Sequence, residues 1–264
     1  MTIGKPFYRN FRAVKPGDPS SGYSSWAYIR DLEYAKDPSH YVRAYLLIQN
    51  DLQSIFEFVE PTDECLKAYS YRIHALLMRT CIEAEANFKA ILEENAFTPA
   101  PGRPLNIKDY RKVDASHHLS SYEVVLPTWN GSPRVLKPFE TWRAFRGLPS
   151  TALLQLPWYR AYNESKHDRK EKFKQANLEN LLLAVSGLLV LLTSQFGGQD
   201  FGAGPDLIGA SGHDYHQMSA AIGSFFRIKY PDDWNDSELY EFNWQVLMTQ
   251  PDRFSKFDYD SVPY

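Results

Sequence analysis

Residues 176–196 read ANLENLLLAVSGLLVLLTSQF, and almost nothing polar stands between Leu181 and Leu192. A helix that is apolar on every side has to be covered by its neighbours over most of its surface. Gly197 and Gly198 follow it, and glycine is the residue type that most often ends a helix. The sequence therefore predicts one central buried helix around which other helices pack.

Two amphipathic helices are predicted upstream of this segment. Asp37-Pro38-Ser39 resembles a helix start, and apolar residues recur every three or four positions from there until Glu60-Pro61. A second, longer helix is predicted from just after Pro61-Thr62 to about Asn95, with acidic residues in its first turn. The apolar stripe of this second helix comprises Leu77, Cys81, Ala84, Phe88 and Ile91.

The other segments show no clear helical period. Residues 1–36 mix aromatic residues with proline and glycine, which predicts an irregular N-terminal arm. A long insertion at about 96–138 contains a strand-like patch at 122–126. A C-terminal extension at 198–264 is rich in aromatic and acidic residues and contains a second strand-like patch at 224–230.

These segments together predict a mainly α protein. We expect an antiparallel helical bundle over 37–197 that carries the long central insertion within it. The irregular arm precedes the bundle, and the aromatic extension, with minor β structure, packs on it.

Composition and charge narrow the class of protein. The formal net charge is −3, so any affinity for nucleic acid has to come from a local basic patch. The first residues lack the apolar core of a signal peptide, and the longest apolar run is shorter than the roughly 18 residues of a spanning helix. Cys65 and Cys81, both expected on the second helix, would lie too far apart for a disulfide. We expect a cytoplasmic protein with no membrane association.

The chemistry of the chain is concentrated just before the buried helix, where residues 157–169 read PWYRAYNESKHDR. Pro157 suits the first turn of a helix, and steps of three, four and seven then bring Arg160, Asn163 and His167 onto one face. A cation, an amide and a proton-transfer group on one face can together handle a phosphate.

A basic cluster accompanies this face. Lys166, Arg169 and Lys170 would attract an RNA backbone without regard to its sequence. Trp158, Tyr162 and Phe173 fall on the opposite side of the helical wheel, so the same pattern also fits an ordinary amphipathic helix with a solvated polar face.

Other chemistries have weaker support in the sequence. His117 and His118 are adjacent, but no acidic residue or cysteine stands at a recognisable ligand spacing from them. The chain also has no glycine-rich phosphate loop and no nucleophile elbow. We therefore expect neither a metal nor a cofactor.

A helical bundle with an Arg-x(4–6)-His motif near the start of its third core helix resembles the HEPN superfamily. Arg160 and His167 fit the longest permitted spacing, with six intervening residues, and the surrounding segment resembles a bacterial HEPN-like branch found among defence-associated proteins. The resemblance covers roughly residues 37–197. Many nucleolytic members have a polar residue after the arginine, where this chain has Ala161.

The resemblance implies metal-independent RNA cleavage in a homodimer whose two motif copies meet in one cleft. His167 would then be the general acid or base for attack of the 2′-hydroxyl, Arg160 would hold the phosphate, and Asn163 would orient the histidine or the substrate. Lys166, Arg169 and Lys170 would bind the substrate backbone. A toxin or antiphage-defence component, with an antitoxin or other partner protein, is the setting that this family implies.

Two other classes of function stay open at the level of the sequence. The first is a noncatalytic HEPN-like interaction module that binds a partner protein or a nucleotide. The second is a structural protein of a phage or mobile element, for or against which the sequence offers little.

Overall fold

The computed structural model describes residues 2–15, 26–147, 149, 155–198 and 218–263, and in these ranges the protein is mainly α with a small antiparallel sheet. The predicted mainly α class is therefore confirmed. The helices are α1 Pro38–Phe56, α2 Tyr71–Glu94, α3 Ile107–Arg111, α4 Asp114–His117, α5 Pro157–His167, α6 Arg169–Lys172, α7 Leu178–Phe196 and α8 Trp244–Leu247. The strands are β1 Glu123–Val125, β2 Val135–Leu136, β3 Ser219–Ala220 and β4 Arg227–Lys229.

The predicted buried helix is α7, which packs against α1, α2 and α5. It starts at Leu178 because the Asn177 side chain accepts a hydrogen bond from the Asn180 backbone nitrogen at 3.0 Å and caps the first turn. It ends at Gly197, which adopts a positive φ of 63° that favours glycine. In the part of the chain described, α7 alone is long and apolar enough to cross a bilayer, and 83% of that apolar window is buried inside the protein.

The second predicted helix starts later than the acidic residues indicated. Asp63–Cys65 form a short 3₁₀ turn that Thr62 caps, and α2 begins only after Ser70, whose side chain accepts a hydrogen bond from the Ile73 backbone nitrogen at 3.2 Å. Two capping residues therefore divide the segment that the sequence assigned to one helix. Cys65 lies in the turn rather than on α2, and both cysteines are free thiols.

The two strand-like patches pair with each other. The strand order is β2-β1-β4-β3 with antiparallel neighbours, and Val124 lies opposite both Leu136 and Ile228. β1 and β2 belong to the central insertion, while β3 and β4 belong to the C-terminal extension. The sheet thus joins two parts of the chain that are separated by about a hundred residues.

The N-terminal arm lies between the helices and the C-terminal extension. Arg9, which is fully buried, adopts a positive φ of 54° and connects the arm to the ends of two core helices. Its Nε donates to Glu94 Oε1 at 2.7 Å and its Nη1 donates to Gln195 Oε1 at 3.0 Å. On the other side of the arm, the Tyr8 backbone nitrogen donates to the Ser255 carbonyl oxygen at 3.2 Å.

Candidate active site

The segment predicted to carry chemistry forms the helix α5, which buries its aromatic residues against the core. Trp158 and Tyr162 are almost completely buried, and Trp158 Nε1 donates to the Pro138 carbonyl oxygen at 2.9 Å. Gly187 in the middle of α7 leaves room for the indole, since a Cβ at that position would lie 3.3 Å from Trp158 Cζ2. These contacts therefore fix both the position of α5 on α7 and its rotation about its own axis.

The helix ends at His167 because Asp168 leaves the helical conformation, with φ −132° and ψ 65°. The following helix, α6, is a separate short element, so Phe173 does not lie on α5 as the helical wheel assumed. Phe173 packs instead on Tyr71 at the start of α2, with ring centroids 4.8 Å apart. The helix is thus shorter than the one that the amphipathic pattern of the sequence predicted.

Arg160, Asn163 and His167 lie on the outward face of α5, as the spacing predicted. Arg160 and His167 are exposed and Asn163 is partly buried. The Arg160 side chain is 62% exposed, and among the described residues it pairs with Glu164, whose Oε1 lies 3.8 Å from Arg160 Nε. The side chains of Asn163 and His167 make no hydrogen bond with any described residue. The three groups therefore have donors and acceptors available for a ligand.

The predicted substrate-binding residues fall into two places. Lys166 is exposed, and its Nζ donates to the hydroxyl of Tyr162, one turn earlier on α5, at 3.1 Å and lies 5.1 Å from the centre of that ring. This hydrogen bond raises the pKa of Lys166, so the side chain keeps its positive charge. Arg169 and Lys170 lie exposed on α6, beyond the end of α5.

The inner side of α5 has polar contacts that the sequence did not show. The Tyr159 hydroxyl donates to Glu85 Oε1 on α2 at 2.8 Å, and burial, followed by this hydrogen bond, raises the pKa of Tyr159. Ala161 is buried and its carbonyl oxygen accepts a hydrogen bond from the Ser165 hydroxyl at 2.6 Å. The residue after Arg160 therefore faces the interior, where a polar side chain would be buried.

A second polar cluster, which sequence reasoning missed, surrounds His118. Arg146 donates through Nη1 to His118 Nδ1 at 2.7 Å and to Asp233 Oδ2 at 2.9 Å. His118 Nε2 lies 3.2 Å from Glu238 Oε1, and its ring stacks on Trp234 with centroids 3.7 Å apart. Burial, assisted by the Arg146 charge, lowers the pKa of His118. A neutral ring therefore accepts from Arg146 and donates to Glu238.

This cluster joins the central insertion to the C-terminal extension. His118 also has a positive φ of 50°, which is uncommon for a residue with a side chain. No local pattern could have revealed the cluster, because Asp233 and Glu238 stand more than a hundred residues away in the sequence. Among the described residues, no group of three or more His, Cys, Asp or Glu side chains is arranged to hold a metal ion.

The neighbouring His117 faces the opposite direction. Its Nε2 lies 2.7 Å from the Arg9 carbonyl oxygen, which can only accept, so this nitrogen carries the proton. Its Nδ1 lies 2.7 Å from the Ser116 hydroxyl oxygen. Burial lowers the pKa of His117 to about 3.

His117 is expected to make the protein less stable in mild acid. Below a pH of about 6.5 the His117 ring binds a proton in the unfolded chain but stays neutral in the folded protein. The free energy of unfolding therefore falls as the pH drops. Between pH 7 and pH 5 we expect a loss of about 2 kcal/mol from this residue. His117→Gln keeps a donor for the Arg9 carbonyl oxygen without titrating, and urea unfolding at the two pH values should show a correspondingly smaller loss.

The exposed His40 on α1 provides the control for this prediction. His40→Gln should lose as much stability between the two pH values as the wild-type protein, because it leaves His117 and its contacts in place. Equal losses in the wild-type protein and in His117→Gln would contradict the prediction.

Comparisons of the chain with protein-family models, with curated proteins and with solved structures found no match.

Proposed function

We propose that the protein is a metal-independent RNA endonuclease of the HEPN type, with Arg160, Asn163 and His167 as its reacting groups. The proposal rests on the outward face of α5, where these three side chains are available to a ligand. The buried Trp158 and Tyr162 hold the opposite face of the helix on the core. The position of α5 just before the buried helix α7 also agrees with the HEPN arrangement.

The proposed reaction uses the 2′-hydroxyl that only RNA contains. His167 removes the proton of this hydroxyl, and the 2′-oxygen then attacks the adjacent phosphorus. The bond from phosphorus to the 5′-oxygen breaks, the leaving oxygen takes up a proton from water, and His167 releases its proton to the solvent. Arg160 stabilises the charge on the non-bridging oxygens, while Asn163 orients the imidazole or the phosphate. The products are a 2′,3′-cyclic phosphate and a 5′-hydroxyl.

The spacing of Arg160 and His167 favours a dimer. Seven helical residues rise about 10 Å, so Arg160 and His167 of one helix approach the same phosphate only by leaning toward each other. In a two-fold dimer with antiparallel α5 helices, Arg160 would instead lie close to the partner's His167. We propose such a homodimer with two composite sites.

The biological setting belongs to the same proposal. A cytoplasmic ribonuclease of this type, without membrane association, fits a toxin or antiphage-defence component whose activity an antitoxin or other partner protein controls. The noncatalytic interaction module is the alternative, and intact RNA in the assay below would favour it.

The function is tested with purified protein and a labelled single-stranded RNA in EDTA. We expect cleavage that leaves 2′,3′-cyclic phosphate ends, together with no cleavage of the matching DNA. An RNA with a single 2′-deoxy nucleotide should resist cleavage at that one bond, since the nucleophile is missing there. Cleavage that requires added Mg²⁺, or that proceeds at the 2′-deoxy position, would contradict the proposed mechanism.

Arg169 and Lys170 are expected to contribute to RNA affinity through the phosphate backbone. Each phosphate contact to a single strand changes the slope of log affinity against log salt by about 0.7, so Arg169→Gln/Lys170→Gln should reduce that slope by about 1.4. The measurement is a filter-binding titration at several salt concentrations, carried out in the His167→Ala background so that the RNA stays intact. The double variant Arg43→Gln/Lys108→Gln removes two exposed charges from α1 and α3 and should retain the slope.

A loss of slope that is the same in both double variants would mean that the RNA does not contact α6 specifically. That result would remove Arg169 and Lys170 from the proposed interface.

A further inference from the structure

A cavity of about 460 Å³ lies at the C-terminal end of α7, between the N-terminal arm and the sheet. Its volume is within the roughly 300–1,000 Å³ of typical small-molecule sites. Aromatic side chains form much of its wall: Phe11, Trp26, Tyr122, Tyr230 and Trp234. We propose that this cavity binds an uncharged, planar heteroaromatic ring of about the size of a nucleobase.

Two tyrosine hydroxyls supply hydrogen-bonding groups in the aromatic wall. Tyr122 is 1% exposed and its ring centre lies 5.8 Å from that of Tyr230. Neither hydroxyl has a hydrogen-bond partner in the ranges that the structure describes. Both tyrosines line the cavity, so a ligand with ring nitrogens or exocyclic oxygens would satisfy both groups.

Burial also keeps both phenols protonated. It raises the pKa of Tyr122 and raises that of Tyr230 to about 12. Each hydroxyl can therefore donate a hydrogen bond to the ligand at neutral pH as well as accept one.

The charge of the cavity wall argues against an anionic ligand. Arg12 is the charged residue among the described residues that line the cavity. Its Nε donates to Asn10 Oδ1 at 3.0 Å, its Nη1 to the Glu238 carbonyl oxygen at 2.9 Å and its Nη2 to the Ser116 carbonyl oxygen at 2.7 Å. Its guanidinium also lies 4.8 Å from the centre of the Trp234 ring. Three of the five guanidinium N–H groups are thus already engaged, so a phosphate or carboxylate would lose water without gaining the full set of Arg12 donors.

The backbone at Gly198 leaves space beside these hydroxyls. A Cβ at this position would lie 3.3 Å from the Tyr230 hydroxyl oxygen and 3.5 Å from the Ala220 carbonyl oxygen. A larger side chain would project into the region where the ring is proposed to sit. A large side chain introduced at position 198 should therefore block the cavity.

The cavity is distinct from the candidate active site. Trp158, in the first turn of α5, contacts Gly187 in the middle of α7, and α5 then runs back toward the start of α7. His167 thus lies near one end of α7 while Gly197 and the cavity lie at the other, roughly 25 Å away by helix length. Binding at the cavity can be measured without RNA and without cleavage.

The test uses adenine as an uncharged probe and urate as a purine of similar size that is anionic at neutral pH. Calorimetry with the full chain should show saturable binding of one adenine per protein, and adenine should quench the fluorescence of Trp26 and Trp234. Urate should bind at least tenfold more weakly, because Arg12, the charged residue among the described residues of the cavity wall, already donates three hydrogen bonds to the protein. Failure of the wild-type protein to bind adenine, or equal binding of adenine and urate, would overturn the proposal.

Two variants test whether adenine binds in this cavity. Tyr122→Phe removes one hydroxyl and should weaken adenine binding about three- to tenfold, while the same change at the exposed Tyr71 should have no effect. Gly198→Leu should abolish binding, whereas Gly4→Leu, where a Cβ would meet nothing within 4 Å, should not change it. Unchanged adenine affinity in Tyr122→Phe and in a folded Gly198→Leu protein would place the bound adenine elsewhere and refute the assignment.

Discussion

His167→Ala is expected to lower the rate of RNA cleavage by a factor of about 10²–10⁴, which is the usual contribution of a positioned general acid or base. His167 is exposed at the end of α5 and its side chain makes no hydrogen bond with the described residues, so the substitution should leave the fold intact. Circular dichroism and thermal unfolding should therefore match the wild-type protein. His40→Ala, which removes an exposed histidine from α1, is the matched control and should cleave at the wild-type rate.

Arg160→Ala should also be strongly impaired, by about 10²–10³, because the positive charge that stabilises the phosphate is lost. Its matched control is Arg43→Ala, since Arg43 is likewise an exposed arginine on a core helix. Cleavage that survives both His167→Ala and Arg160→Ala would show that α5 is not the site of reaction.

Mixing the two inactive variants tests the proposed composite site. In a dimer of one Arg160→Ala and one His167→Ala protomer, one of the two sites would lack both groups while the other would be complete. Co-refolding the variants in equal amounts should then restore about one quarter of the wild-type activity, because about half of the dimers are mixed and each has one complete site. If Arg160 and His167 act within one chain, mixing restores nothing.

Arg9→Met is expected to lower the free energy of unfolding by about 3–5 kcal/mol, as is usual when one partner of a buried ion pair is removed. Glu94, which accepts from Arg9 Nε at 2.7 Å, would keep a largely buried negative charge without its partner. Gln195 and the Lys36 carbonyl oxygen would lose their donors as well. The measurement is urea unfolding at pH 7.

The control for Arg9 is another basic residue of the same arm. Lys5 Nζ pairs with Asp252 Oδ2 at 2.6 Å, but both side chains are partly exposed. Lys5→Met should therefore cost no more than about 1 kcal/mol. Similar losses for Arg9→Met and Lys5→Met would contradict the view that Arg9 fastens the arm to the helices.

The elements that the sequence predicted are those whose signal is local. The apolar run before Gly197 had to be buried, and it forms α7 at the centre of the protein. The patches at 122–126 and 224–230 contain β1 and β4 as predicted. Neither patch indicates, however, that the two strands pair with each other across about a hundred residues. The start of α2 was misplaced because Thr62 and Ser70 both supply capping side chains.

The features of the candidate site likewise fall into some that the sequence predicted and others that it did not. Helical spacing alone brought Arg160, Asn163 and His167 onto one face, since that depends only on the geometry of α5. The contact of Lys166 with Tyr162 joins residues four apart, which helical spacing brings together. The end of the helix at Asp168, which separates Arg169 and Lys170 from that face, does not follow from spacing.

The sequence by itself determined the mainly α class, the buried helix α7 and the polar face of α5, because periodicity and apolar content act over one or two helical turns. Only the tertiary structure decided the partners of Arg9, the cluster around His118 and the cavity beside Tyr122. These sites are assembled from the arm, the core helices, the central insertion and the extension, and such side chains meet only after the whole chain has folded. Their hydrogen bonds and burial are properties of that assembly, and no local pattern of residues specifies them.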